Sequence, residues 1–311
     1  MGADLATILA VYGAVFDGNL AEWSIGGPTD NVPSIDVLAT PQGISGSHNK
    51  YEGDASPTRG DLYLDGQDYL LKMENFQALY DLGKANDDYN LDLLTEQRYN
   101  RFQENIEQNP YFFNAPFSGV IAQPAAWSFI YRFMANKSEE YPEGQLNGEV
   151  LKSFYAITGD DGNFTYTPGY ERIPDNWYTR NAVDPYDVAY LNLDTTAALL
   201  AHLEFGSIGG NTGTVNSFTG VDPGDLTDGV FNAATLTEGN NLMCYGLQVG
   251  QQELPDLLSG LLTDVTAAAN QLSAAFSSAT TSLGCPELTA IDMDQFSQFP
   301  GYTKLSSTGT Y

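Results

Sequence analysis

Apolar side chains recur along this chain at spacings of three and four far more often than in strict alternation, so the pattern predicts helices before strands. Met73, Phe76, Leu79 and Tyr80 keep that spacing, and Gly83 follows as a stop signal. Leu91, Leu94, Arg98, Phe102 and Ile106 define a longer helix. It starts after Asn90 or Asp92, either a suitable N-cap, and ends before Asn109-Pro110. Residues 127–134, 150–157 and 191–203 read as further helices, the second stopped by Gly159. The clearest amphipathic stretch runs through Leu254, Leu257, Leu258, Leu261, Leu262, Val265 and Leu272, with small residues after Thr266 that predict close helix packing. Residues 3–18 read as a buried helix ended by the turn Asp17-Gly18-Asn19. Strand signals are short: residues 163–167, with Gly162 at the turn, predict half a hairpin, and residues 214–219 a second strand. Residues 26–46 and 179–186 are irregular connections. Long loops of this kind often line a site. The expected fold class is mostly α: one large helical domain over residues 1–305 with long loops and few short strands, and a flexible tail at 306–311.

Composition narrows the function. The chain has 311 residues, enough for a sizeable core, and 42% are hydrophobic. No stretch approaches the roughly 20 consecutive apolar residues of a membrane span. Net charge is −28 with only 12 Lys plus Arg. That excludes nucleic acid and anionic membrane surfaces as partners, because both are bound through Lys and Arg. The charge itself implies solubility in an acidic medium. Leu5 to Phe16 is apolar enough to resemble a signal-peptide core, but Asp4 precedes it and no Lys or Arg does, so it is read as a helix; any export signal is expected to be removed or absent. The two cysteines, Cys244 and Cys285, are either free thiols of a cytosolic protein or a disulfide. Asn136-Lys137-Ser138 and Asn163-Phe164-Thr165 fit the N-glycosylation pattern at Asn136 and Asn163. With the charge, they tilt the expectation towards a secreted protein in an oxidising compartment.

The most specific segment is residues 48–61, His48-Asn49-Lys50-Tyr51-Glu52-Gly53-Asp54-Ala55-Ser56-Pro57-Thr58-Arg59-Gly60-Asp61. Glu52, Asp54, Ser56 and Asp61 crowd oxygen donors together, and Gly53 allows the backbone to turn and expose its carbonyl. Hard cations such as Mg²⁺ take such ligands and retain several waters. The same residues also fit a turn and N-cap cluster in which Arg59 pairs with a carboxylate.

This segment resembles the Glu-Gly-Asp signature of the long fungal unspecific peroxygenases, relatives of chloroperoxidase and members of the heme-thiolate peroxidases. Other stretches agree in order: Val15 to Leu20 with Ser24-Ile25-Gly26, Ile106 to Phe112, and Gly209 to Ser217. The resemblance implies a chloroperoxidase-like helical architecture and heme as cofactor. It also implies Mg²⁺ held by the Glu52 carboxylate, the Gly53 carbonyl and the Ser56 hydroxyl beside a heme propionate. Tyr51 would then line the distal pocket, and Cys244 and Cys285 fall where the family places a C-terminal disulfide.

Two parts of the family pattern are not matched. The Pro-Cys-Pro loop whose thiolate ligates heme iron has no counterpart here, and Met1 is expected to stand within or just before the helix that follows it. The distal Arg and Glu that move a proton between peroxide oxygens align with Ser118 and Ala125, and a small slip offers only Gln123. His48 is the remaining candidate base, against the plainer reading of a loop histidine bonded to backbone. His202 reads as a packed or surface histidine, and Glu171, Arg172 and Asp175 as surface charges. Gly206 to Gly213 lacks the Lys-Ser/Thr of a P-loop, and neither a Gly-x-Ser-x-Gly elbow nor a His-Glu-x-x-His motif occurs. Tyr111, Phe112, Phe113, Phe117, Trp127, Phe129 and Tyr131 imply a large apolar core or cavity. Two functions follow: an oxidoreductase acting on small organic molecules, or a heme-free descendant that binds or transforms a small apolar metabolite.

Overall fold

A computed structural model describes residues 1–18, 23–27, 43–46, 53–252 and 266–302. Among these the chain is mostly helical. The order is α1 (Ala3–Phe16), α2 (Gly43–Gly46), α3 (Leu62–Asp65), α4 (Met73–Gly83), α5 (Leu91–Gln108), β1 (Phe113–Asn114), a π-helical turn (Ser118–Ala122), α6 (Gln123–Met134) and α7 (Gly148–Phe154). The hairpin β2 (Ile157–Thr158) and β3 (Thr165–Tyr166) follows, then α8 (Val188–Ala201), β4 (Gly209–Gly210), β5 (Thr219–Gly220), α9 (Pro223–Leu226), α10 (Asn241–Gln252) and α11 (Thr266–Leu283). Residues 253–265, most of the predicted amphipathic stretch, lie outside the described residues, as do His48, Tyr51, Glu52 and the tail at 306–311.

Helix α5 shows why the pattern was readable. Asn90 caps it, its Oδ1 accepting from Leu93 N at 3.1 Å. Asn109, ahead of Pro110, adopts an extended backbone and ends it. Two stripes of α5 are buried. Leu94, Arg98 and Phe102 form one, and Gln97, Arg101 and Asn105 the other. A single apolar face would have required only the first.

Three expectations are corrected. The helix expected over 150–157 stops at Phe154, because Ala156 turns left-handed (φ 54°) and Ile157 pairs with Tyr166. Gly159 makes the hairpin possible: a Cβ there would lie 2.4 Å from the Asn163 carbonyl oxygen. Of the strand expected over 214–219 only Thr219 pairs, next to Gly220. Ser217 Oγ instead donates to Thr214 O at 2.6 Å and closes a tight turn. Helix α1 is buried on one face only, through Leu5, Ile8 and Tyr12.

Two apolar clusters result. The first gathers α1, the π-helical turn, α10 and α11, with Tyr12 stacked on Phe117 at 4.0 Å and Phe276 5.4 Å from Phe117. Fully burying each such side chain stabilises by roughly 1.5–3 kcal/mol. Gly246 and Gly250, one turn apart on α10, let Ile121 and Phe117 come within 2.6 and 3.0 Å of where a Cβ would stand, so a larger residue there would force them to shift. The second cluster lies among α4, α6 and α7 around Phe76, Leu79, Trp127, Leu146 and Leu151. Cys244 on α10 and Cys285 just beyond α11 form a disulfide, clipping the C-terminal helix to the body as anticipated. No helix of the described residues is long and apolar enough to cross a membrane.

Candidate functional site

The turn after Glu52 is held from α5. Asp54 is 1% exposed. Its Oδ1 accepts from Leu62 N at 2.7 Å and its Oδ2 from Asn109 Nδ2 at 3.1 Å. The second Asn109 amide hydrogen goes to Asp61 Oδ2 at 2.9 Å, while Asp61 Oδ1 caps α3 by accepting from Leu64 N at 2.8 Å. Arg101 donates from Nε to Ser56 O at 3.1 Å and from Nη2 to Asp54 O at 3.4 Å, and pairs with Glu104. Arg101 in the polar stripe of α5 and Asn109 at its end therefore anchor this turn. Gly53 and Ser56 are both buried, and Ser56 Oγ accepts from Arg59 N at 3.3 Å. Among the described residues no group of His, Cys, Asp and Glu is placed to hold a metal; the proposed carboxylate ligand, Glu52, lies outside them.

Ser118 and Ala125 are each 1% exposed, in the π-helical turn and at the start of α6. Pro124 cannot donate to the helical ladder, and the wide turn before it lets Gln123 N reach Ser118 O instead. Neither Ser118 nor Ala125 carries a group that shuttles protons near neutral pH. Gln123, the slip alternative, is buried with both amide atoms unpartnered. His202 matches its plain reading: Nε2 lies 2.9 Å from Glu96 Oε1, and the ring stacks on Tyr99 at 4.2 Å.

A cavity of about 520 Å³ opens among α5, α6, α8 and the end of α4, in the size range that takes a small organic molecule. Leu82, Leu94 and Pro124 line it with Arg98, Trp127 and Asp194. Arg98 is 2% exposed, with its guanidinium carbon 3.8 Å from the centre of the Phe205 ring and Nη2 donating to Gly119 O at 3.0 Å. Burial pulls its ionisation down to about 9. Arg98 Nε and Trp127 Nε1 are both buried without a hydrogen-bond acceptor. Asp194, by contrast, is saturated: Arg132 donates to it twice, at 2.7 and 2.9 Å, and Tyr186 Oη once at 2.7 Å. Burial and then this carboxylate hold the Tyr186 hydroxyl far above the usual tyrosine range. The pattern had set Arg98 in the apolar stripe of α5. An arginine at a core position was the available signal for this cavity, and only the structure shows it to be without a carboxylate partner.

The match to known proteins spans nearly the whole chain. A family model described as "Peroxidase, family 2" matches residues 1–182. The aromatic peroxidase fscJ of Fusarium equiseti is 39% identical over 97% of this chain and 72% of its own length. The chain belongs to peroxidase family 2. The dothistromin biosynthesis peroxidase dotB of Dothistroma septosporum is 38% identical over 96% of this chain and 72% of its own length. An aromatic peroxygenase of Cyclocybe aegerita is 29% identical over 70% and 53%. The fungal peroxidase and peroxygenase resemblance read from residues 48–61 is thereby borne out, as is the mostly α fold.

The family implies heme, and whether the residues of this chain fit a thiolate-bound heme can be tested on them. They do not. An axial thiolate needs an unpaired cysteine, and both cysteines of the sequence are spent on one disulfide, with Cys244 only 1% exposed. The positions expected to hold the distal Arg and Glu offer a buried serine and an alanine. No catalytic step through heme is assigned to these residues.

Proposed function

We propose that this family 2 peroxidase acts on a small aromatic molecule, and that the cavity among α5, α6 and α8 is where that molecule sits. The observation that carries the reading is the cavity itself: apolar walls of Leu82, Leu94 and Pro124 with a few buried polar groups at fixed positions, inside a chain whose relatives are named aromatic peroxidase and aromatic peroxygenase. Within it the chain's own residues bind and orient the ligand, between an apolar side at Leu94, Pro124 and Trp127 and an open polar side at Asn86, Asp92 and Glu96. The thiolate that holds iron in the heme-thiolate pattern is supplied by neither cysteine of these 311 residues, since both are in the disulfide. Mg²⁺ at the Glu52, Gly53 and Ser56 turn belongs to this reading, and supporting it is the anchoring of that turn by Asp54, Asn109 and Arg101.

A second reading is favoured by Ser118 and Ala125: a heme-free relative that binds or transforms a small apolar metabolite without redox chemistry. An absorption spectrum of the purified protein with metal analysis separates the two. A Soret band that shifts when CO binds the reduced protein supports the oxidoreductase. Its absence, with stoichiometric binding of an aromatic, supports the heme-free reading and sinks the first. Secretion belongs to this proposal too, and its support is the chain's acidity, its disulfide and its two sequons. Asn163 stands exposed in the β2–β3 hairpin, whereas Asn136 Oδ1 accepts from Tyr178 N at 2.9 Å in a bridge to Gln145. Enzymatic deglycosylation of secreted protein is expected to remove mass at Asn163 first, and an unmodified Asn163 counts against secretion.

A further inference from the structure

Helix α8 (Val188–Ala201) is apolar on its outer side as well as its inner one. Of its 14 residues only Asp194 is charged, and that carboxylate is 8% exposed and paired with Arg132. Val188, Leu191 and Leu199 are buried in the core. Leu193 and Leu200, by contrast, stay 64% and 62% exposed, and Ala197 between them is exposed as well. A single exposed apolar side chain, such as Ile173 in the loop after the β2–β3 hairpin, needs no explanation. The α8 residues need one because they form a line. With the half-buried Tyr190 they follow at spacings of three, four and three, which is the seam of a helix that packs along another helix.

The order of sizes selects the second helix. Leu193, Ala197 and Leu200 run large, small, large in either direction, with the small residue near the midpoint. Such a pattern is its own complement about a two-fold axis. Set antiparallel, Leu193 of one copy meets Leu200 of the other, and the two Ala197 side chains let the helices approach. A dissimilar partner requires no such symmetry. Charge agrees. Two chains of net charge −28 repel each other, and they do so least where the facing surfaces are uncharged.

We propose that α8 is the interface of a two-fold homodimer, with Tyr190, Leu193, Ala197 and Leu200 packed antiparallel on the same seam of a second copy. Ala197 and Ala201 also line the cavity beside α5, so the second copy's helix becomes part of the cavity rim. The dimer is independent of whether the cavity takes an aromatic molecule or the protein carries heme. One helix a side is less than the roughly 20–30 residues of a standard interface, so the expected affinity is micromolar. Asp92 and Glu96, exposed on α5 at the same cavity, bring like charges near the edge. Added salt is therefore expected to tighten the dimer.

The test is sedimentation equilibrium of the purified chain from about 1 to 200 µM, at low and at high salt. The mass is expected to climb from 33.7 kDa towards twice that value, and to do so at lower concentration in high salt. Leu193→Glu and Leu200→Glu change exposed positions and leave the core intact, and each is expected to weaken the dimer about tenfold or more. Ile173→Glu, 65% exposed and off the helix, is expected to leave it unchanged. Oxidative cross-linking reads the geometry. Ala197→Cys is expected to join two chains on non-reducing electrophoresis, whereas Ala274→Cys, exposed on α11, is not. A parent protein that stays monomeric over the whole range overturns the proposal and leaves the seam to a different occupant. A dimer that survives both glutamate variants, or that is joined in the Ala274→Cys protein and not in the Ala197→Cys protein, overturns the choice of face.

Discussion

Asp54→Asn is the most discriminating single change at the turn, because it alters one atom and no shape. Asp54 Oδ1 takes the Leu62 N–H and Oδ2 takes one Asn109 amide hydrogen. The Asn109 amide cannot rotate to compensate. Its other hydrogen is held by Asp61 Oδ2, and its oxygen accepts from Tyr111 N at 2.8 Å. In the variant one carboxylate oxygen becomes an NH₂ group. Whichever way it turns, a buried donor then faces a donor, and the new NH₂ lacks an acceptor from the same set. Each unsatisfied buried group costs about 1–3 kcal/mol, so the variant is expected to lose roughly 2–5 kcal/mol. For a domain of this size that is a fall in melting temperature of roughly 5–15 °C, read by calorimetry or circular dichroism. Asp54→Ala should lose as much. An Asp54→Asn protein melting within a degree of the parent refutes the account of the turn, because the Asp54–Asn109–Asp61 chain would then carry no free energy.

Two further outcomes follow from the same structure. Replacing Cys244 and Cys285 together by alanine opens a cross-link of 41 residues' separation, worth about 4 kcal/mol in the chain-entropy model, and denaturant titration should show a loss of that order; an unchanged midpoint rejects the link as a stabiliser. Stability is also expected to rise between about pH 8 and the ordinary lysine range through Lys137, whose ionisation burial draws down to about 8 with help from Arg132 and Arg180 and against Glu143. In that window the unfolded chain still binds the proton and the folded one has lost it, so folding gains as pH rises. Above pH 10 the gain is opposed by Tyr186 and Tyr89, which stay protonated only when folded. Lys137→Met should flatten the rise, and a melting temperature that falls from pH 8 to 9.5 in the parent but not in the variant contradicts the assignment.

The sequence made the helices legible wherever a cap and a periodic stripe coincided, as at Asn90 with Leu94 and Phe102, or Met73 through Gly83. It failed where a left-handed residue decided the outcome. Nothing in the composition of residues 150–157 announces that Ala156, rather than Gly159, breaks the helix. The turn at residues 53–61 was legible as an oxygen cluster, but the part Asp54 and Asp61 play was not, because their partner Asn109 lies about fifty residues away and a long-range hydrogen bond leaves no local pattern. The π-helical turn before Pro124 was hidden for a similar reason. A proline after Gln123 reads as a helix start, and only the hydrogen bond from Gln123 N to Ser118 O shows that the chain arrives already coiled.

Helix α5 draws these strands together. From its polar stripe Arg101, with Asn109 at the helix end, fixes the turn that carries Gly53 and Ser56, while its other stripe places Arg98 among the residues that line the cavity with Trp127. Residues three apart on a helix lie on neighbouring lines of its surface, so Arg98 and Arg101 sit side by side yet serve different neighbours. Arg101 satisfies two backbone carbonyls and an acidic side chain, and its charge is fully used inside the fold. Arg98 satisfies one carbonyl and stacks on Phe205, which leaves donor capacity that the fold does not consume. A buried guanidinium is costly to maintain unless its hydrogens are taken up. Two arginines three residues apart, one saturated and one not, therefore separate a charge consumed in holding the turn from one whose burial the fold compensates only in part.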